Sequence, residues 1–161
     1  MKKILILTFL FSLQSCFLFW EHEENYSEYE PVYMERTNFE TSISLQNTRT
    51  IENAGKIYVY NNYLFINEKN LGFHVFNNQN PENPIAIKYI TSPGATDMAI
   101  KNNVVFINQA TDLVAIELGT TIQSLNVTKR IENIFPEMLS PDGFYFNTPE
   151  GKVIVNWKKK K

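Results

Sequence analysis

The chain has 161 residues, enough for one ordinary domain, and its 15 basic and 17 acidic residues give a formal charge of −2 at pH 7. This balance argues against a nucleic-acid-binding surface, which needs clustered basic charge. The single cysteine cannot form an internal disulfide, and the cysteine and two histidines lack the spacing of a metal or redox site. Composition therefore indicates no nucleic-acid partner, no metal and no cofactor.

The N-terminus has the organisation of a bacterial export signal. Lys2 and Lys3 precede an apolar run over residues 4–13, and a small residue, Ser15, stands just before Cys16. This pattern resembles the lipobox of bacterial lipoproteins, from which it departs at the bulky, polar Gln14. The resemblance implies a signal peptide over residues 1–15, cleavage between Ser15 and Cys16, and acylation of Cys16 with chains such as palmitate.

A second interpretation of the same segment is a short, uncleaved transmembrane helix. Residues 17–20 are also apolar and prolong the run to a borderline spanning length. The polar break at residues 14–16 lies where a cleavage site is expected and would be costly in mid-bilayer, which favours the lipoprotein. Residues 16–30 follow as an acidic tether that is too polar to fold alone, either a plain spacer or a surface-export signal.

An internal repeat organises the remainder of the chain. Residues 61–67 (NNYLFIN) return as residues 102–108 (NNVVFIN), 41 positions later, and a repeat of this period indicates a propeller or solenoid. Each copy is an Asn-Asn turn before a run of apolar, β-prone residues. The predicted strands cover residues 55–60, 63–66, 72–76 and 85–89 in the first copy, and 97–100, 104–107, 113–116 and 125–129 in the second.

The middle strands indicate how the repeats pack. Residues 63–66 and 113–116 are apolar on both faces, whereas a strand in a sheet with one solvent-exposed face would alternate apolar and polar residues. No long amphipathic helix is available as a cover, so the sheets are expected to stack on each other. The predicted fold is all-β, a partial β-propeller of about two four-stranded antiparallel blades, with a β-sandwich as the alternative. The expected segments are a lead-in over 31–54, repeat 1 over 55–94, repeat 2 over 95–131, and a linker with the truncated start of a next blade and a Lys tail over 132–161.

Residues 73–84 and 113–117 resemble the LVIVD repeat of bacterial β-propeller lipoproteins, with Asn77 and Glu117 in place of the family's aspartate. Shorter stretches around the repeats resemble the same family, at residues 31–36, 55–59, 135–137, 141–143 and 151–157. The resemblance implies a lipid-anchored envelope propeller whose molecular activity is generally unassigned. Proteins of that family continue past two repeats. This two-repeat sequence is therefore interpreted either as the product of a truncated reading frame or as a subunit of a ring that self-association completes.

Few residues qualify as chemical sites. Asp97 and Asp112 begin strands after threonines, where they are candidates for turn capping or for a weak cation site. His74 lies in a predicted strand and is expected to be a hydrogen-bonded interior histidine. No Ser-His-Asp combination or paired-carboxylate spacing is present, so the chain is not expected to be an enzyme.

The expected function is that of a non-catalytic lipoprotein in the cell envelope, on the outer membrane, facing the periplasm or the cell surface. It would be held by its N-terminal lipid and bind an unknown protein or glycan. The alternatives are a truncated remnant without independent function and a fragment of a propeller enzyme.

Overall fold

The computed structural model describes residues 26–161, so the predicted signal peptide, Ser15, Cys16 and the first part of the tether lie outside the described residues. Within this range the chain forms eleven strands and one short helix, α1 (Arg36–Glu40). The strands are β1 (Tyr29–Glu35), β2 (Ser44–Gln46), β3 (Ala54–Tyr60), β4 (Tyr63–Glu68), β5 (Gly72–Asn77), β6 (Ile85–Thr91), β7 (Ala95–Lys101), β8 (Val104–Gln109), β9 (Asp112–Leu118), β10 (Leu125–Ile131) and β11 (Lys152–Lys159).

The strands form three antiparallel sheets. Strands β3 to β6 are hydrogen-bonded in sequence order and form blade 1, to which β2 adds a fifth strand beside β6. Strands β7 to β10 form blade 2 in the same order. All eight strands predicted from the repeat are present, and the all-β fold class is confirmed, with two four-stranded units arranged like consecutive propeller blades.

The repeated Asn-Asn pairs form the turns between the first two strands of each blade. Asn61 has a φ of 51°, and Asn102 and Asn103 have φ values of 51° and 63°. Asparagine tolerates this left-handed region better than other residues with a side chain, because its short polar group satisfies the local backbone. The repeated turns thus place equivalent residues of the two blades in equivalent positions.

The two blades pack face to face around one apolar core. We call the side of blade 1 that is turned to blade 2 its back face, and the side of blade 2 that is turned to blade 1 its front face. The back face contributes Phe65, Phe73, Val75 and Ile90, and the front face contributes Met98, Val105, Ile107, Val114 and Ile116. Each of these side chains is at most 6% exposed. Stacking of the two sheets therefore forms the larger of the two apolar cores within residues 26–161.

Only one face of blade 1 is fully covered by the described residues. Phe65 on the back face is 1% exposed, whereas Leu64 and Ile66, its neighbours on the opposite front face, are half-buried. Ile57 and Val59 of β3 lie on that front face and are 63% and 65% exposed. The sequence led us to expect cover on both sides, and within residues 26–161 the second cover is incomplete.

The third sheet joins the two ends of the described chain. Strand β1 pairs with β11, which brings Tyr29 opposite Lys159 and Glu35 opposite Lys152. Phe39 of α1 is fully buried in a small second core with Val153 and Val155 of β11 and Ala110 of blade 2. Within the lysine-rich end, residues 158 and 159 thus belong to a strand that pairs with residues at the end of the predicted tether.

Gly72 provides a test of the close packing at the start of β5. Its φ is +145°, and a Cβ at this position would lie 2.0 Å from the carbonyl oxygen of Ile90. We expect Gly72→Ala to lower the free energy of unfolding by at least about 3 kcal/mol, because the backbone conformation is strained for alanine and the neighbouring strand cannot yield. Urea unfolding monitored by circular dichroism measures the change.

Gly143→Ala is the matched control, since Gly143 also has a positive φ, 89°, but open space around its Cβ position. Only the backbone penalty applies there, so a loss of about 1 kcal/mol is expected. Equal losses for the two variants would contradict the packing described for Gly72.

Candidate functional site

The main candidate site is a cleft between the blades, at the end where the Asn-Asn turns lie. Its volume is about 250 Å³. The walls come from the β3–β4 turn, the β7–β8 turn and the loop between β9 and β10. The lining residues are Tyr60, Asn61, Tyr63, Phe65, Ile100, Asn103, Val105, Leu118, Gly119, Thr120 and Ile122. The cleft is thus the open margin of the same apolar interface that holds the blades together.

Two tyrosine hydroxyls tie the walls of this cleft to each other. Tyr60 Oη of blade 1 donates to Asn103 Oδ1 of blade 2 over 2.9 Å. Tyr63 Oη donates to the carbonyl oxygen of Thr120 in the β9–β10 loop over 3.2 Å. Tyr60 is therefore a contact between the blades, and it also lines the cleft.

The β9–β10 loop is held in a strained conformation on one side of the cleft. Ile122 has a φ of 51°, which is unusual for a β-branched residue, yet its side chain is only 2% exposed and belongs to the shared core. Its amide donates to the carbonyl oxygen of Gly119 over 2.7 Å. Burial of the Ile122 side chain offsets the strain, and strained, anchored loops of this kind are common at ligand-binding sites.

The chemistry that the cleft offers is binding of an uncharged group. Its lining contains aromatic rings, aliphatic side chains, two asparagine amides and a threonine, without a carboxylate, imidazole, amine or thiol. Aromatic faces cover apolar surface, and the amides and hydroxyls can fix orientation through hydrogen bonds. A sugar ring or an uncharged peptide side chain fits this combination.

Asp97 lies elsewhere, where β3 and β7 run side by side. Its carboxylate accepts hydrogen bonds from Lys56 and Tyr58 of blade 1, and its Oδ1 accepts from the amide of Met98 over 2.8 Å. Burial disfavours the charged carboxylate, but these hydrogen bonds outweigh it and lower the pKa of Asp97. Burial, together with the Asp97 carboxylate, raises the pKa of Tyr58 to about 12. Asp97 thus pairs the two blades electrostatically.

Asp112 lies at the other end of blade 2, fully buried between two arginines. Its carboxylate accepts from Arg36 of α1 over 2.6 and 3.0 Å and from Arg130 of β10 over 2.7 Å. Oδ1 also accepts from the amide of Asn133 over 3.1 Å, which caps the chain after β10. Burial opposes ionisation, but the arginine hydrogen bonds prevail and hold the pKa of Asp112 below its usual value.

The two aspartates considered as a weak cation site therefore lie in separate networks, each already occupied by basic side chains of the protein. Among residues 26–161 no cluster of three or more His, Cys, Asp or Glu side chains is arranged to hold a metal ion. Reasoning from the sequence missed Arg36 and Arg130. The pair Arg36–Asp112 spans 76 residues, and no local pattern connects its members.

A third polar cluster lies on the front face of blade 1. His74 Nε2 is 2.8 Å from Glu68 Oε2, and both side chains are at most 3% exposed, which confirms the expected hydrogen-bonded interior histidine. Glu68 also accepts from the amides of Glu52 and Asn53. Burial raises the pKa of Glu68, but these amide bonds and the His74 contact more than compensate, and the net pKa is lowered. The cluster fastens residues 52 and 53 to the end of blade 1.

Comparisons of the chain with protein-family models, with curated protein sequences and with solved structures find no match. A search for membrane-spanning segments over residues 26–161 finds no helix of sufficient length and apolar character.

Asp112 gives a pH-dependent prediction. Asp112→Asn should lower the free energy of unfolding by about 3 kcal/mol at pH 7, because it leaves two partly buried arginines without their carboxylate. Since the pKa of Asp112 is lowered by folding, its contribution is complete above the unfolded-state pKa and declines as the pH falls below about 4. The difference in the free energy of unfolding between wild type and Asp112→Asn should thus be smaller at pH 3 than at pH 7 by about 1 kcal/mol.

Urea unfolding at both pH values measures this difference, with Glu117→Gln, an exposed carboxylate on the neighbouring part of β9, as the control. The control should change stability by less than about 0.5 kcal/mol at pH 7. If Asp112→Asn lowers the free energy of unfolding by the same amount at pH 3 and at pH 7, the role assigned to the charge of the Asp112 carboxylate is contradicted.

Proposed function

We propose that the chain is a non-catalytic, lipid-anchored lipoprotein of the bacterial cell envelope, and that its two blades form a binding module for an uncharged group of a protein or glycan. The observation that carries the binding part is the cleft between the blades, with its aromatic and amide lining. The resemblance to LVIVD-repeat lipoproteins supports the envelope location.

The start of the chain supports the anchoring part. The basic residues, the apolar run and the Ser15-Cys16 pair follow one another in the order required for lipoprotein processing. Further along the chain, Ser27 and Glu28 are held to the fold, since Ser27 Oγ donates to Asp142 Oδ1 over 2.8 Å and the Glu28 amide donates to Asp142 Oδ2 over 2.7 Å. From Cys16 to Ser27 the chain spans at most about 40 Å, so an acyl anchor at Cys16 would keep the module near the membrane.

Anchoring is tested by expressing the full chain in a lipoprotein-processing bacterium with labelled palmitate. We expect label in the wild type, loss of residues 1–15 and an N-terminal fragment whose mass includes the acyl chains. Cys16→Ser should carry no label, while Tyr145→Ala, an exposed change elsewhere, should be labelled like the wild type. An unlabelled wild type that keeps its first 15 residues would rule out the proposed anchor.

Binding is tested with arrays of envelope glycans and uncharged peptides. Tyr63→Ala removes a ring from the cleft wall and the hydrogen bond to Thr120. We therefore expect the dissociation constant of any glycan or peptide that the wild type binds to be at least ten-fold larger for the variant. Tyr145 is 76% exposed and lies outside the cleft, and Tyr145→Ala should bind like the wild type. Thermal unfolding of both variants checks that each is folded.

Two results would contradict the binding proposal. One is the absence of any glycan or peptide that the wild type retains above a scrambled control. The other is a retained ligand whose affinity is the same for wild type and Tyr63→Ala.

A further inference from the structure

Part of the front face of blade 1, beside Ile57 and Val59, is an apolar surface that residues 26–161 leave uncovered, whereas Glu68, His74 and Tyr89 on the same face are at most 3% exposed. Ile57 and Val59 are 63% and 65% exposed, and they pair on that face with Ile66 and Leu64. Phe76 lies beside Leu64 on the next strand and is half-buried. Contiguous exposed apolar side chains on adjacent strands are unusual on a monomer and indicate an interaction surface.

The repeat shows what kind of surface fits this face. With the offset of 41, Leu64 and Ile66 correspond to Val105 and Ile107 of blade 2, which are 2% and 0% exposed. Ile57 corresponds in the same way to Met98, which is 6% exposed. In blade 2 these positions form the front face and pack against the back of blade 1. The open face of blade 1 is therefore of the type that already receives the back of a blade.

The back face of blade 2 is partly open as well. Phe106 and Leu113 correspond to the core residues Phe65 and Phe73 of blade 1, but they are only half-buried. Ala99 on the same face is exposed, and Phe135 from the following segment lies beside it. One molecule thus presents a front face and a back face, the two partners of its own internal interface.

Charge at the equivalent positions agrees with a second contact of the same type. Lys56 and Asp97 are themselves separated by 41 residues, and they pair across the internal interface. If the back of blade 2 receives the front of blade 1 from another molecule, Asp97 of one copy meets Lys56 of the other. The Asp97 side chain is 43% exposed and lines the open back face, so it is accessible to that second lysine.

We propose that copies of this chain associate head to tail, with the front face of blade 1 of one copy on the back face of blade 2 of the next, in a repetition of the internal blade interface. Such a contact is heterologous, and it generates a closed ring when the rotation between copies closes. The partner of the open face is thus a second copy of this chain. The proposal is independent of the anchoring and ligand binding proposed above.

Cross-linking tests the contact and its polarity. The full chain with Cys16→Ser, in detergent, is given one new thiol, either Ile57→Cys on the front face or Ala99→Cys on the back face. By the repeat, Ile57 is equivalent to Met98 and Ala99 is equivalent to Tyr58. Met98 and Tyr58 are adjacent in the internal interface, where the Met98 amide is 3.4 Å from Tyr58 Oη. A short bifunctional maleimide should therefore join the two single variants when they are mixed, and each variant alone should give at most one-tenth of that yield.

Two outcomes would overturn the proposal. Equal cross-linking of Ile57→Cys alone would show front faces meeting each other, and absence of cross-linking in the mixture, with both thiols freely reactive, would show no contact between copies. Sedimentation provides a second measurement. Val59→Lys should weaken association at least ten-fold while Tyr145→Lys, outside both blades, leaves it unchanged, and a wild type that stays monomeric at high concentration would also exclude the contact.

A charge exchange tests the register. The double variant Lys56→Asp, Asp97→Lys keeps an opposite-charge pair inside each molecule and between identical molecules, but it places like charges together when it meets the wild type. Energy transfer between labelled copies should show two- to five-fold weaker association of the mixed pair than of either identical pair. If wild type and the double variant associate with each other as strongly as each does with itself, the proposed pairing of Lys56 with Asp97 between copies is overturned.

Discussion

The structure depends on the apolar contact between the back of blade 1 and the front of blade 2. A four-stranded sheet cannot bury both its faces by itself, and the described helix α1 is too short to cover a sheet. Phe65, Phe73, Ile107 and Ile116 are each at most 1% exposed because the other blade covers them. Each blade therefore provides the cover that the other lacks, and neither is expected to be stable alone.

The candidate functional features are consequences of this contact. The cleft is the place where the two faces diverge beyond Tyr60 and Tyr63, so its aromatic lining is the margin of the core. The open front of blade 1 and the open back of blade 2 arise because two stacked sheets cover only two of their four faces. Binding in the cleft and association through the open faces therefore involve different surfaces of the same arrangement.

Polar networks fasten the remaining segments to the stacked blades. Asp112 joins α1 and β10 through Arg36 and Arg130, and Glu68 holds residues 52 and 53 at the other blade. Removal of one partner from such a buried network leaves an unpaired charge, which costs more than the net gain from the intact pair. These networks position the segments around the core, whereas the apolar contact provides the main driving force.

The sequence predicted the local and repeated part of this fold and missed the non-local part. All eight blade strands were predicted because short apolar, β-prone runs and the Asn-Asn turns before them are local signals that occur twice. The pairing of β1 with β11 was not predicted, since Tyr29 and Lys159 are at opposite ends of the described chain and a two-stranded pairing has no repeat to reveal it. For the candidate site, the strands that carry Tyr60 and Tyr63 were predicted, but the cleft beside them depends on the course of the β9–β10 loop and on Ile122, which has no recognisable sequence signal.

Native-state hydrogen exchange tests the central claim, that the two blades form one cooperative unit, most directly. The account predicts that the most protected amides of β4 and β5 in blade 1 and of β8 and β9 in blade 2 exchange with one common free energy, equal to that of global unfolding. If the amides of one blade exchange several kcal/mol more easily than those of the other, the blades unfold separately and the shared core does not hold the molecule together.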